Sequence, residues 1–541
     1  MSDAGTPENW ARTQLAEVAF INPRSLDQTP ADNELVSFVP MAAVQEESGN
    51  LDASTLKPWK DVSKGYTRFQ ENDVLFAKIT PCMENGKYAL AKGLHGGRAA
   101  GSTEFHVFRP SEALSPKFLL LFLFRSELRR AARLSMRGAA GQLRVPPEFF
   151  SELEINLPPR TEQDRIVAEI EKQFTRLDDA VAALKRVQAN LKRYRASMLK
   201  AACEGRLVPT EAELARKEGR SYEPASELLK RILAERRAKW EADQLQRMIA
   251  VGKPPKNEDW KKKYKEPVAP TLSDLPHLPE GWTWTTFDQL ITFGPQNGIY
   301  KPSTAYGSGT KIVRIDDYQD DSFKAPEELR QLNLDETESC LYALESGDML
   351  INRVNSPSHL GKCCVITSDI AGSVFESNMM RLRLASDVQK GFFLAYLRSL
   401  DGKRRLTSNA KWAVNQASIN QQDVANTPVP LPPLEEQSRI SAELDRRITN
   451  IDNIKSYLTS RLMSASQLRS AVLKTAFFGK LVPQDPNDEP ASVLLERIRA
   501  ERAALATNNG NQKATPKAGT ANGQRRRRVK KLAQGVSPGK G

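Results

Sequence analysis

The chain has 541 residues, enough for three or four domains of ordinary size, and its 40% apolar and 27% charged content is that of a folded globular protein. The longest pure apolar run, Phe118 to Phe124, covers seven residues, far short of the ~20 a bilayer requires, so a membrane protein is excluded. The net charge is +13, but nine basic residues and no acid lie between Ala504 and Gly541; thirteen less nine leaves +4 for the rest. The high charge is a property of the tail and does not by itself make the folded domains nucleic-acid binders.

In chain order, MSDAGTPENW has no basic or apolar stretch of the kind that marks a secreted chain. The first ~150 residues mix short strand-like runs, VLFAKI and FHVF, with Gly/Asn/Pro turns, and end in a helical stretch from Pro116 to Met136. LPPRTEQDRI at Leu157 to Ile166 then opens a segment, Thr161 to Ala202, without Gly or Pro. Its apolar residues, including Ile170, Leu177, Leu184, Leu191 and Tyr194, recur in steps of three and four, the seam of a coiled coil. At ~1.5 Å per residue this predicts a helix roughly 60 Å long. GRLVP follows, with Gly205 as C-cap, then EPASELLKRILAER. The Pro/Lys-rich stretch from Gly252 to Pro279 predicts an exposed linker.

The chain then repeats itself. EGW at Glu280 faces ENW at Glu8, DMLINR at Asp348 faces DVLFAK at Asp73, FFLAYL at Phe392 faces FLLLFL at Phe118, and Gln416 faces Gln142, at offsets of 272 to 275. KIVRI and CCVIT are the strand-like runs here, and Val388 to Thr407 the helical stretch. LPPLEEQSRI at Leu431, GKLVP at Gly479 and EPASVLLERIRAER at Glu489 complete the second copy; its seam includes Leu444, Ile451, Leu458, Leu462 and Leu468. A long helix with one apolar seam must bury it, and the matched partner is its own duplicate, antiparallel, with pseudo-two-fold symmetry. The fold class expected is therefore α/β (α+β) globular domains joined by long helices, one domain at each end of an intramolecular antiparallel coiled coil. The boundaries expected are 1–158 and 280–430 for the two globular domains, 159–252 and 431–504 for the helical segments, 253–279 for the linker and 505–541 for a disordered basic tail.

No catalytic constellation emerges from the sequence. The Gly-Lys pairs at Gly86 and Gly361 lack the rest of a phosphate-cradling loop, GSGTK at Gly307 lacks the third glycine of a dinucleotide fingerprint, and GxSxG and HExxH do not occur. The triplet Asp401-Gly402-Lys403 reads as solvated surface. Five cysteines without a CxxC pair and four scattered histidines predict buried structural thiols in a reducing compartment and no metal site.

The duplicated LPPxxEQxRI and GxLVP…EPASxLLxxIxxER, with DVLFAKITPCMENGK and GSTEFHVFRP in the first copy, resemble the specificity subunit of type I restriction–modification enzymes. The resemblance covers the chain except its basic tail. It implies two target recognition domains, two conserved helical spacers, a cytoplasmic protein without catalysis of its own, and an asymmetric, bipartite double-stranded DNA target. Two methylation subunits and the restriction/translocation subunits would dock on it, making a type I site-specific deoxyribonuclease and adenine-specific DNA methyltransferase. S-adenosylmethionine, ATP and Mg²⁺ would then belong to the partners, with no cofactor bound by this chain. Independently of the resemblance, two diverged domains joined by a rigid helix suit two different half-sites, about one duplex turn apart. A protein-binding scaffold and a divergent nuclease are the rival readings.

Base readers and phosphate contacts come from Arg, Lys, Asn, Gln, Ser and Thr on loops. The first-copy candidates are Lys78, Thr80, Asn85 and Lys87 in KITPCMENGK, with Arg137, Gln142 and Arg144 in RGAAGQLR. The second-copy candidates are Arg353, Asn355, Ser356 and Lys362 in RVNSPSHLGK, then Lys411, Trp412, Asn415 and Gln416, with Tyr300 and Lys301 in an earlier loop. The Glu162–Gln163 and Glu436–Gln437 pairs read as helix-start caps or partner contacts. Leu228, Leu229 and Ile232, and Leu494, Leu495 and Ile498, read either as core or as a docking face for a methylation subunit.

Overall fold

Apolar runs bounded by turn residues form the strands, and they do so twice. The computed structural model describes residues 6–139, 141–319, 322–356, 359–413 and 416–500. In the first copy four antiparallel strands lie in the order Ala19–Ile21, Phe105–Pro110, Val74–Ala77, Tyr88–Leu90. The second copy repeats the order as Ile291–Asn297, Met379–Leu384, Met349–Asn352, Cys363–Val365. A further sheet in each copy contains one parallel pair, Leu35–Val39 with Arg98–Gly101 and Tyr306–Val313 with Val374–Phe375. Val74–Ala77 and Met349–Asn352 are buried throughout, and Val74–Ala77 and Met349–Ile351 are unbroken apolar runs rather than alternating ones. The aspartate before each run is buried and ties the neighbouring strand: Asp73 accepts Arg109 Nε and Nη2, each at 2.8 Å, and Asp348 accepts Arg383 Nε at 2.7 Å.

Each terminal helical stretch is two helices, not one. Pro116–Phe124 and Ser126–Ser135 break at Arg125, and Lys390–Arg398 and Leu400–Leu406 break at Ser399, whose hydroxyl caps the second helix by accepting Gly402 N–H at 3.1 Å. The predicted long helices span α1 (Arg160–Cys203) and, after α2 (Ala225–Ala250), α3 (Leu434–Phe477). The chain forms two compact units, and both draw on both copies: residues 6–181 with 463–500, and residues 182–462. Within the first unit, Arg469 of α3 lies over the Phe174 ring and pairs with Asp178 of α1. Within the second, Arg447 reaches Tyr194 Oη at 3.3 Å, and Leu444 and Ile451 share a core with Leu191, Met198 and Leu199. Low numbers of one helix meet high numbers of the other, so the pairing is antiparallel in each unit.

Of the predicted seam, Ile170, Leu444, Ile451 and Leu458 are buried, and Leu177, Leu184, Leu191 and Leu462 are half-buried. Leu468 and Tyr194 are corrections, 52% and 47% exposed. The inward positions of α3 step by seven through Ile451, Leu458 and Ala465, and Leu468 lies off that row.

The segment after each long helix completes the globular domain of the opposite copy, which the sequence boundaries of the helical spacers do not convey. Ala225, Leu228 and Ile232 of α2 are buried with Trp282, Phe287 and Phe392. Ala491, Leu495 and Ile498, in the helix at 491–500, are buried with Trp10, Leu15 and Phe118. The docking role for these leucines and isoleucines is thereby corrected: Leu228, Ile232, Leu495 and Ile498 are committed to their own cores, and Leu229 and Leu494 pack partly against them. The linker at 253–279 is mostly exposed, as expected, with a local contact. Trp260 and Tyr264, around a helical turn at Asp259–Lys263, pack on Trp240 of α2. Among the cysteines, Cys363 and Cys364 are buried, but Cys340 is exposed.

The Glu-Gln pairs explain how the distant segments are joined. All four side chains are buried. Glu162 Oε1 accepts Trp10 Nε1 at 3.0 Å and Gln484 Nε2 at 2.7 Å. Glu436 accepts Trp282 Nε1 at 2.9 Å and the Glu211 N–H at 2.8 Å. Gln163 accepts Ser115 N–H, and Gln437 accepts Gln389 N–H, anchoring the start of the buried apolar helix in each copy. Burial pushes the Glu436 carboxyl up to about 7 against the opposing effect of these donors, and Glu162 is raised for the same cause. Gly205 and Gly479 end the long helices at φ +65° and +70°, and a Cβ there would lie 2.5 Å from Pro279 or 2.4 Å from Pro7.

Two measurements test this framework. Gly219 also has positive φ, but open space around it, so Gly219→Ala costs about 1 kcal/mol, whereas Gly205→Ala adds an overpacking cost of about 1–3 kcal/mol; thermal melts of the full chain rank the two. The folded Glu436 holds its proton to about pH 7, while the unfolded carboxyl releases it near 4.5. Its contribution therefore falls as pH rises through that window. The stability of the wild type relative to Glu436→Gln should decline across it, and a flat difference would disprove the assignment.

Candidate nucleic-acid interface

Two chain segments far apart in sequence meet at the end of each antiparallel sheet. In the first unit the loop after Val74–Ala77 bonds to the Arg137–Arg144 hairpin: Thr80 N–H to Leu143 O at 3.1 Å and Val145 N–H to Lys78 O at 2.9 Å. Arg137 and Arg144 close that hairpin by mutual backbone bonds. In the second unit Val354–Asn355 pairs with Ala417–Ser418, which pairs with Lys411–Trp412, and Ile419 N–H reaches Arg353 O at 2.9 Å. The two loop-and-hairpin platforms are built alike, with different residues on them.

The exposed positions on the hairpins are Arg137 and Gln142 in one copy, and Lys411, Trp412 (61% exposed) and Gln416 in the other. Asn415 lies outside the described residues. Tyr300 is 80% exposed. Asn85 is exposed and donates to Glu46 Oε1 at 3.0 Å. Arg144 forms a two-bond fork to Glu104, each at 2.9 Å, which holds the Glu104 carboxyl below its ordinary range. Lys78 is half-buried, and burial lowers its ammonium from the ordinary range despite nearby Glu104. Thr80 is half-buried, and its hydroxyl oxygen has no partner among the described residues. Asn355 accepts the Ser356 N–H at 2.7 Å, and the Ser356 hydroxyl meets His359 Nδ1 at 3.0 Å.

Four of the predicted DNA-contact residues also make structural bonds. Lys87 donates to Met41 O at 3.2 Å, and its counterpart Lys362 donates to Tyr318 O while lying over the Tyr318 ring. Both Gly-Lys lysines therefore brace their loops against the neighbouring sheet. Lys301 is paired with Glu338 at 2.7 and 2.9 Å. Arg353 Nη1 donates to Ser377 O at 3.1 Å, half-buried under its loop.

Sequence reasoning passed over a basic helix immediately before each hairpin. Ser126–Ser135 presents exposed Arg130 and Arg133, and Leu400–Leu406 presents exposed Arg404. Arg130 and Arg404 occupy equivalent positions, 274 residues apart. That recurrence was the available signal, and assigning the Asp401-Gly402-Lys403 triplet to solvated surface hid it. Among the described residues no cluster of His, Cys, Asp and Glu could hold a metal, and no helix is long and apolar enough to cross a membrane.

The family model for the type I restriction modification DNA specificity domain matches residues 7–192 and 308–460, more than half of the chain. The chain belongs to that family. Among curated relatives, the type I restriction enzyme EcoEI specificity subunit of Escherichia coli is 26% identical over 521 residues, covering 87% of this chain and 83% of the relative. The EcoAI specificity subunit of the same species is 27% identical, covering 87% and 82%. In fold, this member of the specificity-domain family is similar to a chain from a solved type I R-M system assembly, with a TM-score of 0.58 at 20% identity, covering 88% of this chain and 99% of that one.

Braced and presented lysines should respond differently. Lys362→Met strips two carbonyls of their donor and lowers stability by about 1–3 kcal/mol, while Lys411→Met leaves the thermal melt unchanged.

Proposed function

We propose that the chain is the sequence-recognition subunit of a type I restriction–modification complex, reading an asymmetric, two-part DNA target and positioning two methylation subunits and the restriction/translocation subunits on it. The observation that carries this reading is the pair of equivalent platforms that share a glutamine, Gln142 or Gln416, and differ beside it, with Arg137 and Gly138 on one where Lys411 and Trp412 stand on the other. Glutamine, arginine and lysine on a narrow hairpin suit base edges in the major groove, and Arg130 and Arg404 beside them suit phosphates. Alike readers would specify a palindrome; unlike ones specify two different half-sites. The chain supplies recognition, and the S-adenosylmethionine, ATP and Mg²⁺ chemistry belongs to its partners, in the cytoplasm. Buried Leu228, Ile232, Leu495 and Ile498 leave partner docking to other surfaces.

A base-modification map of DNA from cells expressing this chain with its methylation partner is expected to show one methylated two-part motif. Replacing residues 282–430 by the corresponding segment of another family member should change one half of that motif and preserve the other; a change in both halves would disprove two independent readers. Gln416→Ala should relax discrimination at one base pair by about 1–3 kcal/mol, read as methylation of variant sites confined to one half.

A further inference from the structure

The second unit contains a basic cleft of about 730 Å³ beside its recognition loop, which base reading by the hairpin leaves unused. One wall is the face of α1 that carries Gln188, Lys192 and Arg195, residues spaced to lie on one side of a helix. Lys455 comes from α3, and His359 and Lys362 from the recognition loop. Arg398 and Lys403 close the far side. Asp452 is the one acidic residue lining it, against six lysines and arginines. Lys362 and Arg398 also donate to backbone carbonyls, of Tyr318 and Cys363, so their charges are fixed in place. Lys192 and Lys455 are exposed, with no carboxylate partner among the described residues.

The duplication supplies an internal comparison. At the equivalent positions of the first unit, Lys192 is replaced by Ser466, Lys455 by Val181, Arg398 by Phe124 and His359 by Glu84. Arg195, Lys362 and Lys403 keep cationic counterparts there, Arg469, Lys87 and Arg129. The charges of Lys192, Lys455 and Arg398 are thus peculiar to the second unit, and the shared framework does not require them.

We propose that this cleft holds the phosphate backbone of duplex DNA next to the half-site read by the second unit, as a sequence-independent clamp that the first unit lacks. The proposal rests on the DNA-reading function. A backbone of regularly spaced negative charges is the complement of a cleft carrying six cations and one acid, and its position against the recognition loop makes the duplex engaged by that loop the nearest polyanion.

The test uses the full chain assembled with its methylation partner, a duplex carrying the mapped target and a scrambled duplex of equal length. Lys192→Gln with Lys455→Gln should reduce the slope of log affinity against log salt by about one to two, weakening binding roughly 4- to 20-fold at about 0.2 M salt on both duplexes alike. Target preference and thermal melt should be retained. An unchanged slope, with target preference intact in the wild type, overturns the clamp and leaves the function standing. Loss of the methylation partner from the assembly with an unchanged slope also overturns it, making the cleft a protein-docking surface. A wild-type assembly without target preference overturns both the function and the clamp.

Discussion

Each unit depends on a carboxylate buried at the start of a long helix. Glu162 and Glu436 are fully buried and receive an indole N–H from a tryptophan more than 150 residues earlier, Trp10 or Trp282. A second donor arrives from the other copy of the sequence, Gln484 Nε2 or the Glu211 N–H. A buried carboxyl is costly without hydrogen-bond donors, so each helix start depends on the donors that these three segments bring. The same tryptophans also seal the far ends of the long helices, where their rings, with Pro7 and Pro279, close over the terminal glycines. The first helical turn of each EPAS segment is joined through Ala225 or Ala491, whose N–H donates to the residue before the tryptophan.

On this repeated frame the recognition platforms diverge. Residues that build them recur: the buried Asp–Arg tie between strands, the Gly-Lys pair bracing the loop, and the backbone bonds that seat the hairpin. Some residues that project from them do not, as Gly138 stands where the second copy has Trp412. A subunit built in this way can change what it reads through a few exposed side chains without disturbing a core, because the large apolar residues such as Phe76, Phe108, Phe392 and Phe393 are buried.

Most of the architecture was legible in the sequence because it is written twice. Offsets of 272 to 275 align strands, helices and hairpins, and the three-four spacing of Ile170, Leu177 and Leu184 announces a paired helix. What could not be read is which copy a segment serves. EPASELLKRI has one apolar stripe whether it faces a partner protein, a rod or a globular core, and periodicity cannot distinguish these. The same limit applied to lysines. Lys87 and Lys411 are alike as letters, and only the carbonyl of Met41 shows that one is spent on structure. Leu468 failed for a different reason: a two-helix pair buries a narrow row, and a leucine three positions off it remains wet.

The interleaving of the copies imposes an order on biosynthesis. All the residues of the second unit, 182–462, are available before the chain has been synthesised as far as Gln484 and Ala491, which the first unit needs. The domain that begins at the N-terminus must therefore wait on the ribosome with Glu162 and Trp10 short of their last partner, while the later domain closes ahead of it. Domains ordinarily fold from the N-terminus as they emerge; this one reverses that sequence. A nascent chain stalled just as residue 462 clears the ribosome would thus carry a finished second reader and a first still without Gln484 and Ala491.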